Sequence, residues 1–230
     1  LKELNYNCEN SHVEIAARLE DTNIVLAYAD QSIFNPKLHN LMNLRKKIIK
    51  RPVITTVEVL VKPISSKHDA FFTGFVHKPY PPIYLELSRN AEFHSASVVR
   101  GTEGGIIPSL RQIGKVHYYD KPGEEDKMYE VKPEDLQIID ESRAVDIPEG
   151  IVRKDTKDKI ESKVSATDIA KATVKSGQEA LSGKNGAMKS CIQLGASIIL
   201  QRMTGNDVKE CSKEVLKVID SGSALKRMKS

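Results

Sequence analysis

One strand–helix–strand unit near the middle of the sequence constrains the fold more than any other feature. Residues 71–76 and 96–100 are apolar runs of strand length, and residues 79–93 between them form a helical pattern opened by prolines. Two strands joined through a helix at this spacing run parallel, and their carboxyl ends meet at one edge of the sheet. The sequence therefore predicts an α/β fold with a mixed, largely parallel sheet flanked by helices. A ligand crevice is expected at that edge.

Further elements surround this unit. A capping box formed by Ser11 and Glu14 predicts a short helix through about residue 19. Two short strands, residues 116–119 and 128–131, flank an acidic run at 124–126 that is typical of a solvated hairpin tip. The remaining predictions are a buried strand at 23–29, helices that begin at 36 and at 54, a surface loop at 140–163, and helices at 165–181, 186–203 and 207–219.

Composition excludes several classes of protein. The 230 residues include 40% hydrophobic and 29% charged side chains, as ordinary globular chains do. The longest mostly apolar stretch, residues 191–200, is half the roughly 20 residues that a membrane-spanning helix needs. Cys8, Cys191 and Cys211 lack the spacing of a metal site, which predicts reduced thiols in the cytoplasm. No secretory leader is recognised, and because the sequence begins at Leu1 we expect a preceding segment.

A basic window in the first quarter of the chain contains five cations and no acid. The five are Arg45, Lys46, Lys47, Lys50 and Arg51. Such a run can neutralise the phosphates of a nucleic acid, and phosphate contacts carry most of the non-specific affinity. It is also typical of a solvated helix face that has no partner. The net charge of only +4 leaves both interpretations open.

A glycine-rich loop follows the second strand of the central unit. Its residues are Gly101, Thr102, Glu103, Gly104 and Gly105. Glycines at the carboxyl end of a strand let the backbone approach a phosphate closely, which predicts a vestigial phosphate loop. The next two residues, Ile106 and Ile107, stand where metal-assisted phosphate chemistry needs carboxylates. The sequence thus predicts a phosphate site that has neither a metal nor a catalytic residue.

Three tyrosines are candidates for stacking on nucleic-acid bases, because stacking tolerates any base sequence. They are Tyr80, Tyr118 and Tyr119. Tyr118 and Tyr119 point to opposite faces of their strand, so one of the two is expected in the core. With 5% aromatic residues and no tryptophan, a dedicated stacking platform is not expected.

Several motifs occur in the order that one enzyme family shows. Residues 98–104 (VVRGTEG) are similar to VVHGxDG, residues 181–187 (LSGKNGA) to LxGExGA, and residues 219–224 (IDSGSA) to IDSGxA. Residues 34–46 are similar to an FHPA…VRR helix, and residues 55–63 stand where the family has NLLGPLTNP. Over nearly its whole length the chain resembles the anthranilate phosphoribosyltransferase family, whose fold is shared with pyrimidine nucleoside phosphorylases.

The resemblance also implies a domain organisation. Residues 1–33 and 65–230 correspond to the α/β domain, and residues 34–64 correspond to a basic helical segment of the small helical domain. The amino-terminal part of the family fold, with its two glycine-rich phosphate loops, has no counterpart in the sequence.

The departures from the family pattern concern the residues that perform the chemistry. The enzymes hold magnesium with an Asp–Glu pair, and in the alignment Ile106 and Ile107 occupy those two positions. The family's Asn and Gly-Pro positions are occupied here by Thr55 and by residues 58–59. Arg51 stands where the enzymes place an arginine that meets the anthranilate carboxylate. The resemblance therefore implies that the fold is kept and that the pair of metal-binding carboxylates is lost.

These departures resemble those of a divergent, nucleic-acid-binding branch of the family. That resemblance implies a cytoplasmic protein, a homodimer at full length, that binds DNA or RNA, above all single strands, without strong sequence preference and without a cofactor. It assigns the contacts to the basic window and to Arg100, for which an ion pair with Glu103 is the alternative. The alternative function is a phosphoribosyl- or glycosyltransferase with an altered substrate, which would use Mg²⁺ and phosphoribosyl pyrophosphate. Neither implies a membrane partner, and the question of catalysis stays open.

Overall fold

A computed structural model describes residues 2–4, 11–21, 26–48, 53–140, 142–146, 151 and 165–229. The α-helices in these ranges are α1 (His12–Glu20), α2 (Gln31–Phe34), α3 (Pro36–His39), α4 (Met42–Lys47), α5 (Ile54–Val57), α6 (Tyr80–Asn90), α7 (Ala166–Leu181), α8 (Ala187–Thr204), α9 (Val208–Asp220) and α10 (Ser223–Lys229). Short 3₁₀ turns occur at Lys2–Leu4, Glu58–Leu60, Thr102–Gly104 and Pro133–Leu136.

Four strands form one sheet in the order β1-β2-β3-β4. They are β1 (Ala70–Phe75), β2 (Ser95–Arg100), β3 (Gly114–Tyr119) and β4 (Lys127–Val131). Strands β1 and β2 pair in parallel across α6, which confirms the predicted strand–helix–strand unit. Strands β3 and β4 return as an antiparallel hairpin. The sheet is therefore mixed, as predicted, but its described part is parallel only between β1 and β2, because β2–β3 and β3–β4 are both antiparallel pairs. The turn between β3 and β4 is too short for the crossover that a parallel pair needs.

The sheet separates two apolar clusters. Adjacent residues of a strand face opposite sides, and the buried pair Val98 and Val99 shows this directly. Val98 belongs to a cluster that includes Leu85 of α6, whereas Val99 belongs to one that includes Leu194 and Ile198 of α8. The core thus consists of helix, sheet and helix layers, as expected for an α/β domain.

Local helix signals in the sequence are confirmed. Ser11 and Glu14 form the complete capping box of α1. Ser165 caps α7 by accepting a hydrogen bond from the backbone of Asp168, and Asp207 caps α9 in the same way through Lys209. These side chains satisfy backbone N–H groups that have no partner inside the helix.

The amino-terminal quarter differs from the sequence expectation. The strand predicted at 23–29 falls partly outside the described residues, and residues 26–28 form no strand. The long helix expected from Pro36 is divided into α3 and α4 by a turn at Asn40 and Leu41. Leu26, Leu41 and Leu44 are exposed, so these apolar residues do not join the core that would have held a buried strand or a longer helix.

The remaining expectations concern single segments. Most of the loop predicted at 140–163, and Cys8, lie outside the described residues. Cys191 and Cys211 are buried free thiols, and burial raises the pKa of Cys191 to about 11. Among the described helices, none combines the length and the apolarity that crossing a bilayer requires. The boundaries at residues 33–34 and 64–65 stay predictions.

Candidate anion-binding site

The carboxyl ends of β1 and β2 lie side by side at one edge of the sheet. Phe75 pairs with Arg100, and β3 begins at Gly114 next to them. A cleft of about 390 Å³, which includes space open to solvent, lies at this edge. It is lined by Val76, Arg100, Gly101, Thr102, Ser109, Gln112, Ile113 and Arg143. We call the cleft lined by these residues the arginine cleft, and we call this end of the sheet the open edge.

Arg143 reaches the open edge through a long-range backbone contact. The N–H of Leu110 donates to the carbonyl oxygen of Arg143 over 3.4 Å. Leu110 is fully buried, and Val145 packs on the same cluster, so both sides of this contact are anchored in the core. Arg143 could not be predicted from the sequence, since no motif or spacing links residue 143 to the strand ends.

The two arginines of the cleft carry charge that is not compensated within the described chain. Arg100 and Arg143 are exposed, and within that part of the chain neither side chain has a hydrogen bond or an ion pair. None of the eight lining residues carries a carboxylate. The described lining of the cleft therefore contains two cationic side chains and no anionic one. The side chain of Glu103 lies outside the described structure, so the alternative ion pair with Arg100 stays a prediction.

Neutral hydrogen-bond donors accompany the arginines. The hydroxyl oxygen of Thr102 is buried and has no hydrogen-bond partner among the described residues. The hydroxyl oxygen of buried Ser109 accepts from the N–H of Arg111 over 3.4 Å, which leaves its own proton to donate. Gln112 adds a side-chain amide to the lining. The site is thus rich in donors and poor in acceptors other than uncharged oxygens, as an anion requires.

The glycines of the loop have a packing role that the sequence did not reveal. Gly105 folds back over the strand ends, and a Cβ atom at Gly74 or at Gly101 would overlap the Gly105 carbonyl oxygen. The backbone of Gly101 has φ −94°, which any residue adopts, so space and not conformation requires glycine there. Thr102 donates its N–H to Ile107 and Gly105 donates its N–H to Thr102, both over 2.9 Å. These two donors are used inside the loop, and a phosphate-binding role for the loop backbone stays a prediction.

The two isoleucines after the loop provide no metal ligands. Ile106 is 42% exposed, whereas Ile107 is half-buried and packs against the α8 side of the core. Across the described residues, no group of three or more histidine, cysteine, aspartate or glutamate side chains is placed to hold a metal ion. The donor chemistry at this position therefore does not fit Mg²⁺, which prefers oxygen ligands.

The basic window is only partly described. Arg45 forms an ion pair with Glu58 (2.7 Å), and both side chains are largely shielded from solvent. Lys47 is exposed and has no ion pair in the described part of the chain. The side chain of Lys46, and all of Lys50 and Arg51, lie outside the described structure. Arg45 thus has a structural partner, and the window as a phosphate-binding surface stays a prediction.

The opposite end of the sheet contains arginines that are fully engaged. There, the predicted hairpin tip between β3 and β4 is held by Arg89 of α6. Arg89 donates to the carbonyl oxygens of Pro122 and Glu124, each over 2.9 Å, and to the carboxylate of Asp126 over 2.6 Å. Its guanidinium also lies 4.2 Å from the ring centre of Tyr119, which is fully buried. We call this end, residues 120–126 with Arg89 and Arg202, the closed edge.

Arg202 of α8 completes the closed edge. It is hydrogen-bonded to Asp120, and its guanidinium lies 3.6 Å over the ring of Tyr118. Lys127 donates to the same carboxylate over 3.1 Å. Burial alone would raise the pKa of Asp120, but the hydrogen bonds and charges of Lys127 and Arg202 outweigh burial and lower it. Tyr118 is therefore already covered by an arginine, while its neighbour Tyr119 is the core residue that the strand pattern predicted.

Comparisons with known proteins identify the fold. No protein-family profile matches the chain. The structure is similar to anthranilate phosphoribosyltransferase from Saccharomyces cerevisiae in complex with PRPP and Mg, with a TM-score of 0.71 and 16% identity over 99% of this chain. It is equally similar to the same enzyme in complex with 4-fluoroanthranilate, with a TM-score of 0.70 and 17% identity over 98% of this chain. The chain covers 59% and 57% of those two structures.

A sequence relative comes from Aquifex aeolicus. It is described as an uncharacterized protein and is 33% identical over 83 residues, which are 36% of this chain and 26% of that protein. The chain thus spans about a quarter of that relative and less than three fifths of the yeast enzyme structures. At 16–17% identity, the likeness to the yeast enzyme shows the fold: mixed α/β, with a four-stranded sheet flanked by helices, of the phosphoribosyltransferase type.

Proposed function

On this phosphoribosyltransferase-like fold, we propose that the chain is a sequence-tolerant nucleic-acid-binding protein that contacts the phosphates of a single strand from the open edge. The observation that carries the proposal is the pair Arg100 and Arg143, which line a cleft without carboxylates and have no ion partner in the described chain. Two guanidinium groups without a nearby carboxylate, at the edge of the sheet where α/β proteins bind ligands, favour the binding of an anion.

Phosphate contacts explain why the binding would tolerate any sequence. Guanidinium groups pair with phosphate oxygens through two parallel hydrogen bonds, and such contacts carry no information about the bases. Lys78, just beyond the end of β1, is exposed, and Tyr80 is 37% exposed next to it. An exposed tyrosine beside a cationic surface offers a face on which a base of a single strand can stack.

The basic window would extend this surface. Lys47 is exposed and unpaired within the described residues, and Lys46, Lys50 and Arg51 add charge next to it along the sequence. Arg45 contributes differently, because its pairing with Glu58 fixes the carboxyl-terminal turn of α4 against the 3₁₀ turn Glu58–Leu60. The proposal further includes a homodimer and a cytoplasmic location. Light scattering of the purified protein measures its molar mass in solution and so tests the homodimer.

The test of the proposal is a salt titration of binding. The affinity for a fluorescently labelled single-stranded oligonucleotide of mixed sequence is measured by anisotropy at several salt concentrations. We expect the double variant R100A/R143A to bind at least about tenfold more weakly at low salt. Its log–log salt slope should be shallower by about 1.4, since each phosphate contact on a single strand contributes roughly 0.7.

A matched control keeps the same loss of charge but leaves the cleft intact. Lys121 and Lys213 are exposed, have no ion pair among the described residues, and do not line the cleft. The variant K121A/K213A should bind within about twofold of the wild type. Equal affinity and equal slope for R100A/R143A and the wild type would show that the open edge is not the binding surface.

The contribution of the basic window is measured in the same assay. Changing Lys46, Lys47 and Arg51 together to alanine should reduce the salt slope by about 2, on the same basis of roughly 0.7 per contact. An unchanged slope would assign the window to a solvated helix face and leave Arg100 and Arg143 as the phosphate contacts.

The rival proposal is a phosphoribosyl- or glycosyltransferase with an altered substrate. It has the shared fold in its favour, and it has the aliphatic side chains of Ile106 and Ile107 against it, since they offer no oxygen to a metal. The discriminating measurement is the consumption of phosphoribosyl pyrophosphate with and without Mg²⁺. Magnesium-dependent turnover by the full-length protein would replace the binding proposal with the enzyme.

A further inference from the structure

We infer that the arginine cleft prefers a phosphomonoester, the terminal phosphate of a nucleic-acid strand, over an internal phosphodiester of its backbone. The inference rests on the proposed function in one respect, because the proposed function is what identifies the molecule that carries the phosphate as a nucleic-acid strand. It assigns to the cleft the end of a strand, while the surrounding basic surface holds the chain that follows.

The number and kind of donors carry the inference. Arg100 and Arg143 each present five N–H donors and one positive charge. Thr102 and Ser109 can add one hydroxyl proton each, and Gln112 adds an amide. An internal phosphodiester has two free oxygens and one negative charge. A phosphomonoester has three strong acceptor oxygens and a charge of about −1.5 to −2 at pH 7, which matches two guanidinium groups.

Thr102 provides a second, independent indication. Its hydroxyl oxygen is buried yet has no partner in the described structure, although buried polar groups are almost always hydrogen-bonded. The backbone on both sides of this group is fixed, because Thr102 donates to Ile107 and accepts from Gly105, each over 2.9 Å. The backbone that carries this hydroxyl is thus held in place at the cleft before any ligand arrives. A rotation about the χ1 bond of Thr102 would bring the hydroxyl to a third phosphate oxygen, which is the acceptor that it lacks.

The construction of the cleft favours a compact group. Its walls come from four separate segments: the residue after β1, the end of β2 with the glycine loop, residues 109–113, and Arg143. The contact between Leu110 and Arg143 ties the last two segments together. A group with three oxygens on one phosphorus can meet donors from several walls at once, whereas two oxygens of a chain that continues in both directions meet fewer.

The experiment compares strand ends directly. Three oligonucleotides of one sequence, with a 5′-phosphate, with a 3′-phosphate and with hydroxyl groups at both ends, compete against the labelled single strand. For the wild type, we expect one phosphorylated form to bind about tenfold more tightly than the hydroxyl-ended form. In T102V, which keeps the shape of the side chain but removes the hydroxyl, the ratio should fall to within about twofold. T102S should restore the preference, and K121A should retain it.

The outcomes separate this inference from the proposed function. If the wild type binds all three oligonucleotides equally, the phosphomonoester pocket is wrong and the proposed backbone binding stands. If no oligonucleotide binds but a nucleoside monophosphate or inorganic phosphate does, measured by calorimetry and lost in T102V, the pocket stands and nucleic-acid binding fails. If neither strands nor small phosphates bind, both are wrong. Circular dichroism and urea unfolding of T102V and T102S establish that the variants are folded.

Discussion

The two ends of the sheet use the same residue type in opposite ways. At the closed edge, Arg89 and Arg202 are each held by carboxylates, carbonyl oxygens or tyrosine rings. At the open edge, Arg100 and Arg143 are exposed and have no partner in the described chain. The arginines of the closed edge stabilise the fold, whereas those of the open edge are, in our proposal, available to another molecule.

This difference teaches that contacts, and not residue type, distinguish a charge that stabilises the fold from one that is left exposed. A partly buried charge that gained nothing from its neighbours would weaken the fold, so folded chains tend to pair such groups or leave them in water. The side chain of Arg202 is largely buried and forms an ion pair with Asp120, whereas Arg100 is exposed at the end of a strand. Sequence composition treats both as cations, and only the three-dimensional contacts distinguish them.

The largest expected effect is the difference in stability between alanine substitutions of one glycine at each edge. Gly101 at the open edge has no room for a Cβ atom beneath the Gly105 carbonyl, whereas Gly123 at the closed edge has no atom within 4 Å of that position. We expect G101A to lower the free energy of unfolding by at least about 3 kcal/mol, because backbone must move. G123A should change it by less than about 0.5 kcal/mol. Urea unfolding of both variants measures the difference.

Equal stabilities of G101A and G123A would contradict the close packing of the loop on β1 and β2. The glycine-rich loop would then be free to move, and its backbone donors would again be available to a phosphate.

The next effect concerns the arginines themselves. R202M keeps an apolar stem but removes the hydrogen bond to Asp120 and the stacking on Tyr118, so we expect a loss of about 2 kcal/mol of stability. R100M removes a side chain without a partner in the described chain and should change stability by less than about 0.5 kcal/mol. Thermal and urea unfolding of the two variants, in the absence of nucleic acid, provide the measurement. A comparable loss in R100M would assign Arg100 to the fold.

A smaller effect is expected in the pH dependence of stability, to which Asp120 of the closed edge contributes. The pKa of Asp120 is lowered in the folded protein, so the folded state binds fewer protons than the unfolded state at this group. Its stabilising contribution is complete above the unfolded value of 3.8 and is lost as the pH falls through the folded pKa. D120N should be less stable by about 1 kcal/mol at pH 7, a modest figure because the carboxylate is 42% exposed.

The same variant should show a flatter loss of stability on acidification. Urea unfolding at low ionic strength, from pH 6 to below pH 4, gives the two curves. Parallel curves for D120N and the wild type would mean that Asp120 titrates alike in the folded and unfolded states.

Features encoded locally could be predicted from the sequence. Ser11 with Glu14, Ser165 and Asp207 each satisfy backbone donors within three residues, so their helix starts follow from residue type and spacing alone. The central strand–helix–strand unit could be predicted for the same reason, since the crossover length fixes parallel pairing. Alternation along β3 was enough to predict that one of its two tyrosines enters the core.

Features created by long-range contacts could not be predicted. Arg143 joins the cleft through a backbone hydrogen bond from Leu110, and nothing in the 32 residues between them in the sequence indicates that contact. The packing role of Gly101 depends on where Gly105 folds, and the pairing of Arg45 depends on Glu58. At the amino-terminal end, apolar runs suggested a buried strand and a longer helix, but Leu26, Leu41 and Leu44 are exposed there.

The packing of Ile107 restricts which side chains its position can accept. Ile107 packs on the core beside α8, and its Cγ1 lies 3.5 Å from the point that a Cβ on Gly195 would occupy. A carboxylate at this position would lose much of its hydration among apolar neighbours. A single substitution of Ile107 by aspartate or glutamate is therefore expected to destabilise the fold. Position 107 is thus closed to a metal ligand by the packing of the core as well as by the chemistry of its present side chain.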